Sequence, residues 1–174
     1  VSSDMGSMNK ICKKHKVNFF FRKKYSDNLS PVSMATYDLL RNMNKNYDTV
    51  VQLMATCPLR NSIDIKKSLN NFFIKKSKFQ ISAFRISWLH FNWAYVQKKS
   101  SFKKFFKKEG NLTNDKIYFP TGAIWIANVK DFLKAKTFYG PKFNFYEIDW
   151  ISAIDVDTEK DLKNARRIYK LSNI

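Results

Sequence analysis

Two aspartates stand one residue apart in Ile154-Asp155-Val156-Asp157-Thr158-Glu159-Lys160-Asp161. In an extended backbone alternate side chains share a face, so both carboxylates would point the same way. Paired carboxylates at the end of a strand form a hard oxygen site of the kind Mg²⁺ uses together with substrate phosphates. Ligands of open α/β sheets gather at that same edge. A structural reading competes: Asp157 caps the next helix and Asp155 is solvated, since bare pairs of this spacing are common. Thr158 and Asp161 have capping-box spacing, with Asp a weaker partner than Glu.

Two further stretches invite the same double reading. In Ala55-Thr56-Cys57-Pro58-Leu59-Arg60 a small-residue turn follows an apolar strand and precedes a helix. Backbone N–H groups can meet an anion there, and Arg60 can grip a carboxylate or phosphate with two donors. The plain alternative is a strand-to-helix turn punctuated by Pro58. In Phe119-Pro120-Thr121-Gly122-Ala123-Ile124-Trp125, Gly122 would allow close backbone approach to a ligand, or the stretch is a core strand with a buried Trp125. His15 and His90 have no partners that make a triad or a metal cluster. Cys57 reads as a structural turn residue rather than a nucleophile.

These residues need elements to hold them. Val17–Phe21, Asp48–Met54, Gln80–Ile86, Gly122–Ala127 and Ala153–Val156 read as strands. Ser33–Met43, Ser62–Lys75, Val129–Ala135 and Thr158–Leu171 read as helices. Ile65, Leu69, Phe72 and Phe73 recur at spacings of three and four on one of these, with Asn61 or Ser62 as its cap. Strand and helix alternate from 17 to 87, which predicts βαβ units and a parallel sheet covered by helices. The regular pattern stops in residues 88–119, an aromatic and Lys-rich stretch that reads as an arm, a dimer contact or a lid.

The chain has 174 residues, 44% of them hydrophobic and 26% charged, which suits one globular domain spanning 1–174. No apolar run is long enough to cross a membrane as a helix. No charged-then-apolar leader pattern opens the sequence, and two cysteines make no disulfide framework, so a cytoplasmic setting is expected. The net charge is +18, with 16 Phe and only 4 Gly. Such a charge suits an acidic partner such as nucleic acid, or reflects a composition rich in Lys, Asn, Ile and Phe. Its spread along the whole chain, without a nucleic-acid motif, points away from that partner.

Taken in order, the motifs resemble the acylneuraminate cytidylyltransferases, also called CMP-sialic acid synthetases. The family pattern runs from a strand ending V-S-T-D through L-L-Q-P-T-S-P-L-R, N-G-A-I-Y-I and a phenylalanine pair to S-I-D-I-D-T-E-x-D-L. The matching stretches here are Val1 to Asp4, Phe21-Arg22, Leu53 to Arg60, Thr121 to Ile126, Phe138-Tyr139, and Ala153 to Leu162. The resemblance implies a Rossmann-like α/β nucleotidyltransferase with a mixed, mostly parallel sheet and helices on both faces. It implies transfer of CMP from CTP to the anomeric hydroxyl of a nonulosonic (sialic-type) acid, with release of pyrophosphate. By the same resemblance Asp155 and Asp157 are the catalytic, Mg²⁺-holding pair. Ser33 lies near the nucleotide. Arg22, Arg60, Trp125, Phe138 and Tyr139 lie near the sugar. A homodimer with an arm in residues 88–119 is also implied.

The departures carry equal weight. The family's Gln before P-T-S-P is Met54 here, its Pro is Ala55, and its Ser is Cys57. Met54 lacks the amide's hydrogen bonds, so the sugar is expected to differ from N-acetylneuraminate, with legionaminic, pseudaminic or a related acid as candidates. Lys103, Lys104, Lys107, Lys108 and Lys116 replace an Arg-rich stretch. The family's opening strand and its phosphate-binding A-R-x-G-S-K segment have no counterpart. The sequence is therefore expected to be a fragment of a longer product, and the 174-residue fragment by itself is expected to bind no CTP productively and to be inactive. A basic nucleic-acid-binding protein or a non-catalytic remnant on this fold is the competing expectation.

Overall fold

The computed structural model describes residues 1–27, 29–85, 93–105 and 116–172. Its elements in chain order are β1 (Ser2–Ser3), α1 (Met8–Lys14), β2 (Phe20–Phe21), α2 (Val32–Arg41), β3 (Thr49–Gln52), α3 (Ser62–Ile74), β4 (Phe79–Phe84), β5 (Tyr95–Lys98), β6 (Ser101–Lys104), β7 (Phe119–Asn128), α4 (Val129–Ala135), β8 (Asn144–Glu147) and α5 (Glu159–Ser172). The main sheet has the order β3-β7-β4-β8. β8 runs parallel to β4, and β7 runs antiparallel to both β3 and β4. Three strands thus point one way and β7 the other. β1 and β2 form a separate parallel pair, and β5 and β6 an antiparallel hairpin.

Alternation along the strands buries both faces of the sheet. On one face Ile124, Ile126 and Ile148 pack with Phe72, Leu69 and Ile65 of α3. On the other, Phe79, Ile81 and Ala127 pack with Phe132 of α4, Phe138, and Tyr37 and Leu40 of α2. The result is a Rossmann-like mixed α/β fold with helices on both sides.

Local signals placed α3 well. The Asn61 side chain accepts from the Ile63 and Asp64 amides at 2.8 and 2.9 Å, while Asp64 reaches back to the Asn61 amide at 3.1 Å. This reciprocal box satisfies donors that the first helical turn leaves open. Asn61→Ala is expected to cost ~1 kcal/mol, seen as a fall of about 2–4 °C in Tm by calorimetry.

Several expectations are corrected. Phe73 is 57% exposed instead of facing the core. One residue beyond the inward Phe72 turns a side chain by a hundred degrees, and Phe73 packs edge-on to the Phe72 ring at 5.6 Å instead. Ala153–Val156 is not a strand. It meets its neighbour through the Val156 amide to the Thr56 carbonyl at 2.9 Å, without a ladder. The strand expected over Val17–Phe21 shrinks to Phe20–Phe21, because β1 offers only two residues to pair with. The purely parallel reading of 17–87 fails because β7 inserts between β3 and β4. Within the 88–119 stretch Tyr95–Lys98 and Ser101–Lys104 form the β5–β6 hairpin, whose strands are exposed throughout, and Phe119 opens β7. Trp88, Phe91 and Phe106 lie outside the described residues.

Candidate active site

β7 carries the irregularity that shapes the site. Phe79, Gln80 and Ile81 pair with Ala127, Ile126 and Trp125, but Ala83 pairs with Pro120. Four residues of β7, Thr121 to Ile124, therefore oppose the single residue Ser82. A bulge of this kind must find other partners for its backbone groups. The Ser82 hydroxyl donates to the Thr121 carbonyl at 3.1 Å and accepts the Ile124 amide at 2.8 Å. The Trp125 indole N–H donates to the Thr121 carbonyl at 2.8 Å. The Met54 amide donates to the Gly122 carbonyl at 3.2 Å. Arg60 Nη1 donates to the carbonyls of Ala123 at 2.7 Å and Met54 at 3.1 Å.

Arg60 thus pins the turn after β3 to the bulge. Burial pushes its pKa down, with Cys57 and Asp64 opposing, but a guanidinium remains charged in any protein setting. Cys57, in the same turn, is 1% exposed. Burial pushes its thiol up, and the nearby Asp155 adds to the rise. The Thr121 hydroxyl donates to the Ala153 carbonyl at 3.2 Å, tying the bulge to the segment that follows β8.

That segment holds the two aspartates. Asp155 Oδ1 accepts from the Val156 amide at 3.2 Å and lies 3.9 Å from the Cys57 sulfur. Asp157 is exposed. The cap of α5 is made by other residues: Asp161 accepts from the Thr158 amide at 2.9 Å and hydroxyl at 2.7 Å, and the Thr158 hydroxyl accepts the Asp161 amide at 3.2 Å. The Thr158 hydroxyl and amide hold the Asp161 carboxyl below its ordinary pKa. Asp157 is therefore not consumed as the helix cap. Beside Asp155 opens a cavity of about 380 Å³ whose walls include Phe84, Thr121, Gly122 and Trp150.

A row of aromatic side chains lies on the α2 and α4 side of the sheet. Trp125 packs against Phe138 at 5.5 Å and Tyr139 at 5.9 Å. Tyr139 meets Phe143 at 5.3 Å, and Phe143 meets Phe145 at 5.4 Å. Tyr139 is 44% exposed, whereas Phe138 is fully buried against Phe132. Phe138 supports the wall from behind, and Trp125 and Tyr139 form its accessible part.

Arg22 and Ser33 sit elsewhere. Arg22 follows β2 and pairs with Asp4 at 3.3 Å. Ser33 is buried in the first turn of α2. Among the described residues no hydrogen bond or ion pair joins either one to the Asp155 cluster. The structure adds residues that no motif marked, chiefly Ser82 and Trp150, and gives Thr121, which lay within a marked stretch, a specific bonding role. Ser82 had no signal, since an isolated serine in an apolar strand looks like any other.

Among the described residues no group of three or more His, Cys, Asp or Glu side chains is assembled, which excludes a closed zinc-type site there. Two exposed carboxylates fit a hard dication that takes its other ligands from phosphate and water.

No family model matches the sequence. The pseudaminic acid cytidylyltransferase of Campylobacter jejuni (strain 81-176) is 25% identical over 181 residues, covering 99% of this chain and 78% of that protein. The chain resembles the acylneuraminate cytidylyltransferase family. An N-acylneuraminate cytidylyltransferase of Streptococcus agalactiae serotype V is 26% identical over 92% of this chain and 40% of its own length. Among solved structures, the 4-diphosphocytidyl-2C-methyl-D-erythritol synthase of Anaerococcus prevotii aligns with a TM-score of 0.67 at 12% identity over 96% of this chain and 77% of that one. CMP:2-keto-3-deoxy-manno-octonic acid synthetase, solved with CTP, aligns with a TM-score of 0.66 at 10% identity over 99% of this chain and 80% of that one. These likenesses show a shared Rossmann-like α/β fold. No helix among the described residues is long and apolar enough to cross a membrane.

Proposed function

We propose that this protein transfers CMP from CTP to the anomeric hydroxyl of a nonulosonic acid. The observation that carries the reading is the pair Asp155 and Asp157, free of the α5 cap, with Asp155 lining the cavity at the β7 bulge. Cytidylyltransferases acting on such acids among the relatives support it. In the reaction the sugar oxygen bonds to the α-phosphorus, the bond to the bridging oxygen breaks, pyrophosphate leaves, and the hydroxyl proton passes to solvent. Asp155 and Asp157 would hold Mg²⁺, which when bound neutralises phosphate charge and acidifies the attacking hydroxyl. The chain's own contribution is positioning. Trp125 and Tyr139 would pack on apolar N-acyl groups. Arg22 would supply charge toward the sugar acid, and Ser33 would lie toward the nucleotide.

Met54 replaces a hydrogen-bonding side chain by a thioether, which favours a sugar acid other than N-acetylneuraminate. The reading places the protein in the cytoplasm, where the buried, unpaired Cys12 and Cys57 stay reduced. It also makes it a homodimer, with the arm of residues 88–119 reaching a second copy. Exposed Tyr95 and Phe102 on the hairpin support that contact.

The test is pyrophosphate release from CTP with a panel of nonulosonic acids. In the gene product that carries this sequence, turnover is expected to require CTP and Mg²⁺, with kcat/KM for pseudaminic- or legionaminic-type acids at least about tenfold above N-acetylneuraminate. No release with any acid, together with salt-steep binding to random single strands, would instead establish the nucleic-acid reading.

A further inference from the structure

The turn after β3, the β7 bulge and the 153–157 segment meet at one point, and Cys57 stands there. Its sulfur lies 3.9 Å from Asp155 Oδ1 and 3.8 Å from Thr121 Oγ1. The Thr121 hydroxyl proton is already committed to the Ala153 carbonyl, and its oxygen accepts the Ala123 amide at 3.3 Å. That leaves the thiol proton as the donor available to the carboxylate. The Val156 amide also reaches Asp155 Oδ1, but it belongs to the adjacent residue and donates to the Thr56 carbonyl at 2.9 Å as well. That bond ties the amide to the turn after β3, and the thiol adds a second contact to the carboxylate from the same turn.

We infer that Cys57 is a positioning residue for Asp155, fixing the carboxylate so that it meets a divalent cation in one orientation. The inference rests on the metal reading above and assigns a partner that holds a ligand rather than a ligand itself. Such partners govern metal affinity because an exposed carboxylate otherwise loses side-chain freedom on binding. Cys57 is suited to the task because it is buried, 1% exposed. It is packed in the core with Phe72, Ala123 and Ile124. Pro58 follows it in the chain, and a Cβ built on Gly122 would lie 3.7 Å from its sulfur. Its sulfur meets two polar groups, the Thr121 hydroxyl and the Asp155 carboxylate.

The experiment is Mn²⁺ binding to the whole protein, followed by the resonance of free Mn²⁺ without nucleotide. The proteins are wild type, Cys57→Ser, Cys57→Ala and Asp155→Asn, each checked by thermal melting. Cys57→Ala is expected to weaken Mn²⁺ about tenfold, and Cys57→Ser to stay within about threefold of wild type. In turnover the apparent Mg²⁺ constant should rise by the same factor, with KM for CTP at saturating Mg²⁺ unchanged. If the Ala variant melts early, Cys57→Val carries the test, filling the space without a donor. Should Asp155→Asn lose Mn²⁺ while Cys57→Ala keeps it, the positioning role is overturned and the metal reading stands. Equal weakening by Ser and Ala would also overturn it, since size and not the donor would then matter. Equal binding by wild type and Asp155→Asn would remove the metal reading and this inference together.

Discussion

Asp155→Ala is expected to lower metal-dependent kcat/KM by on the order of 10³-fold or more while the protein stays folded. The carboxylate is exposed and contributes no core packing. Its two recorded partners, the Val156 amide and the Cys57 thiol, are a local bond and a long one. Removing it should therefore change stability by no more than about 0.5–1 kcal/mol. Activity is another matter, because one of only two carboxylates is then missing and Asp157 alone must hold the cation. Asp155→Asn separates charge from shape: it keeps the side-chain outline and should fall nearly as far. Pyrophosphate release at saturating Mg²⁺, read alongside a melting curve, decides the matter. A folded variant with unchanged turnover would sink the metal assignment.

Gly140→Ala is expected to be the most damaging single-methyl change, costing about 2–4 kcal/mol and lowering Tm by roughly 6–12 °C. A Cβ at this position would sit 2.3 Å from Cε2 and Cζ of Phe79 and 2.7 Å from Cδ2. Phe79 cannot yield cheaply. It is 2% exposed and packed in the cluster with Ile81, Phe132 and Phe138. The same glycine directly follows Tyr139, so a forced shift would also move the aromatic wall. The signature is non-additivity. Trimming the ring with Phe79→Leu should rescue part of the loss, so the double variant should be more stable than the summed single effects. Calorimetry showing strict additivity would mean that the clash is relieved by backbone movement instead.

How much of this was legible beforehand depended on the range of the interactions. The α5 box at Thr158 and Asp161 could be read because a cap and its partner lie three residues apart; for α3 the cap was read as Asn61 or Ser62, and the structure chose Asn61 and added Asp64 as its partner. Val129–Ala135 was read without its cap, which the structure supplies as Asn128 accepting from the Asp131 amide. The resemblance to cytidylyltransferases rested on runs of adjacent residues and needed no coordinates. Phe138 shows the limit. An aromatic pair marked a wall, but one ring of the pair went to solvent and the other into the core, because only packing on Phe132 and Trp125 distinguishes them.

The amino-acid order alone was enough for four of the five helices among the described residues, for the caps of α3 and α5 and for the apolar β7 run, while α1 over Met8–Lys14 was not read. These follow from periodicity and from side chains acting on backbone a few residues away. The placement of β7 between β3 and β4, the bulge closed by Ser82, Arg60 and Trp125, and the meeting of Cys57 with Asp155 followed only from the folded chain. Ser82 and Thr121 are 39 residues apart, and Cys57 and Asp155 are 98 apart. Contacts at such separations arise from how sheets and loops pack. No local pattern encodes which distant residue will stand opposite.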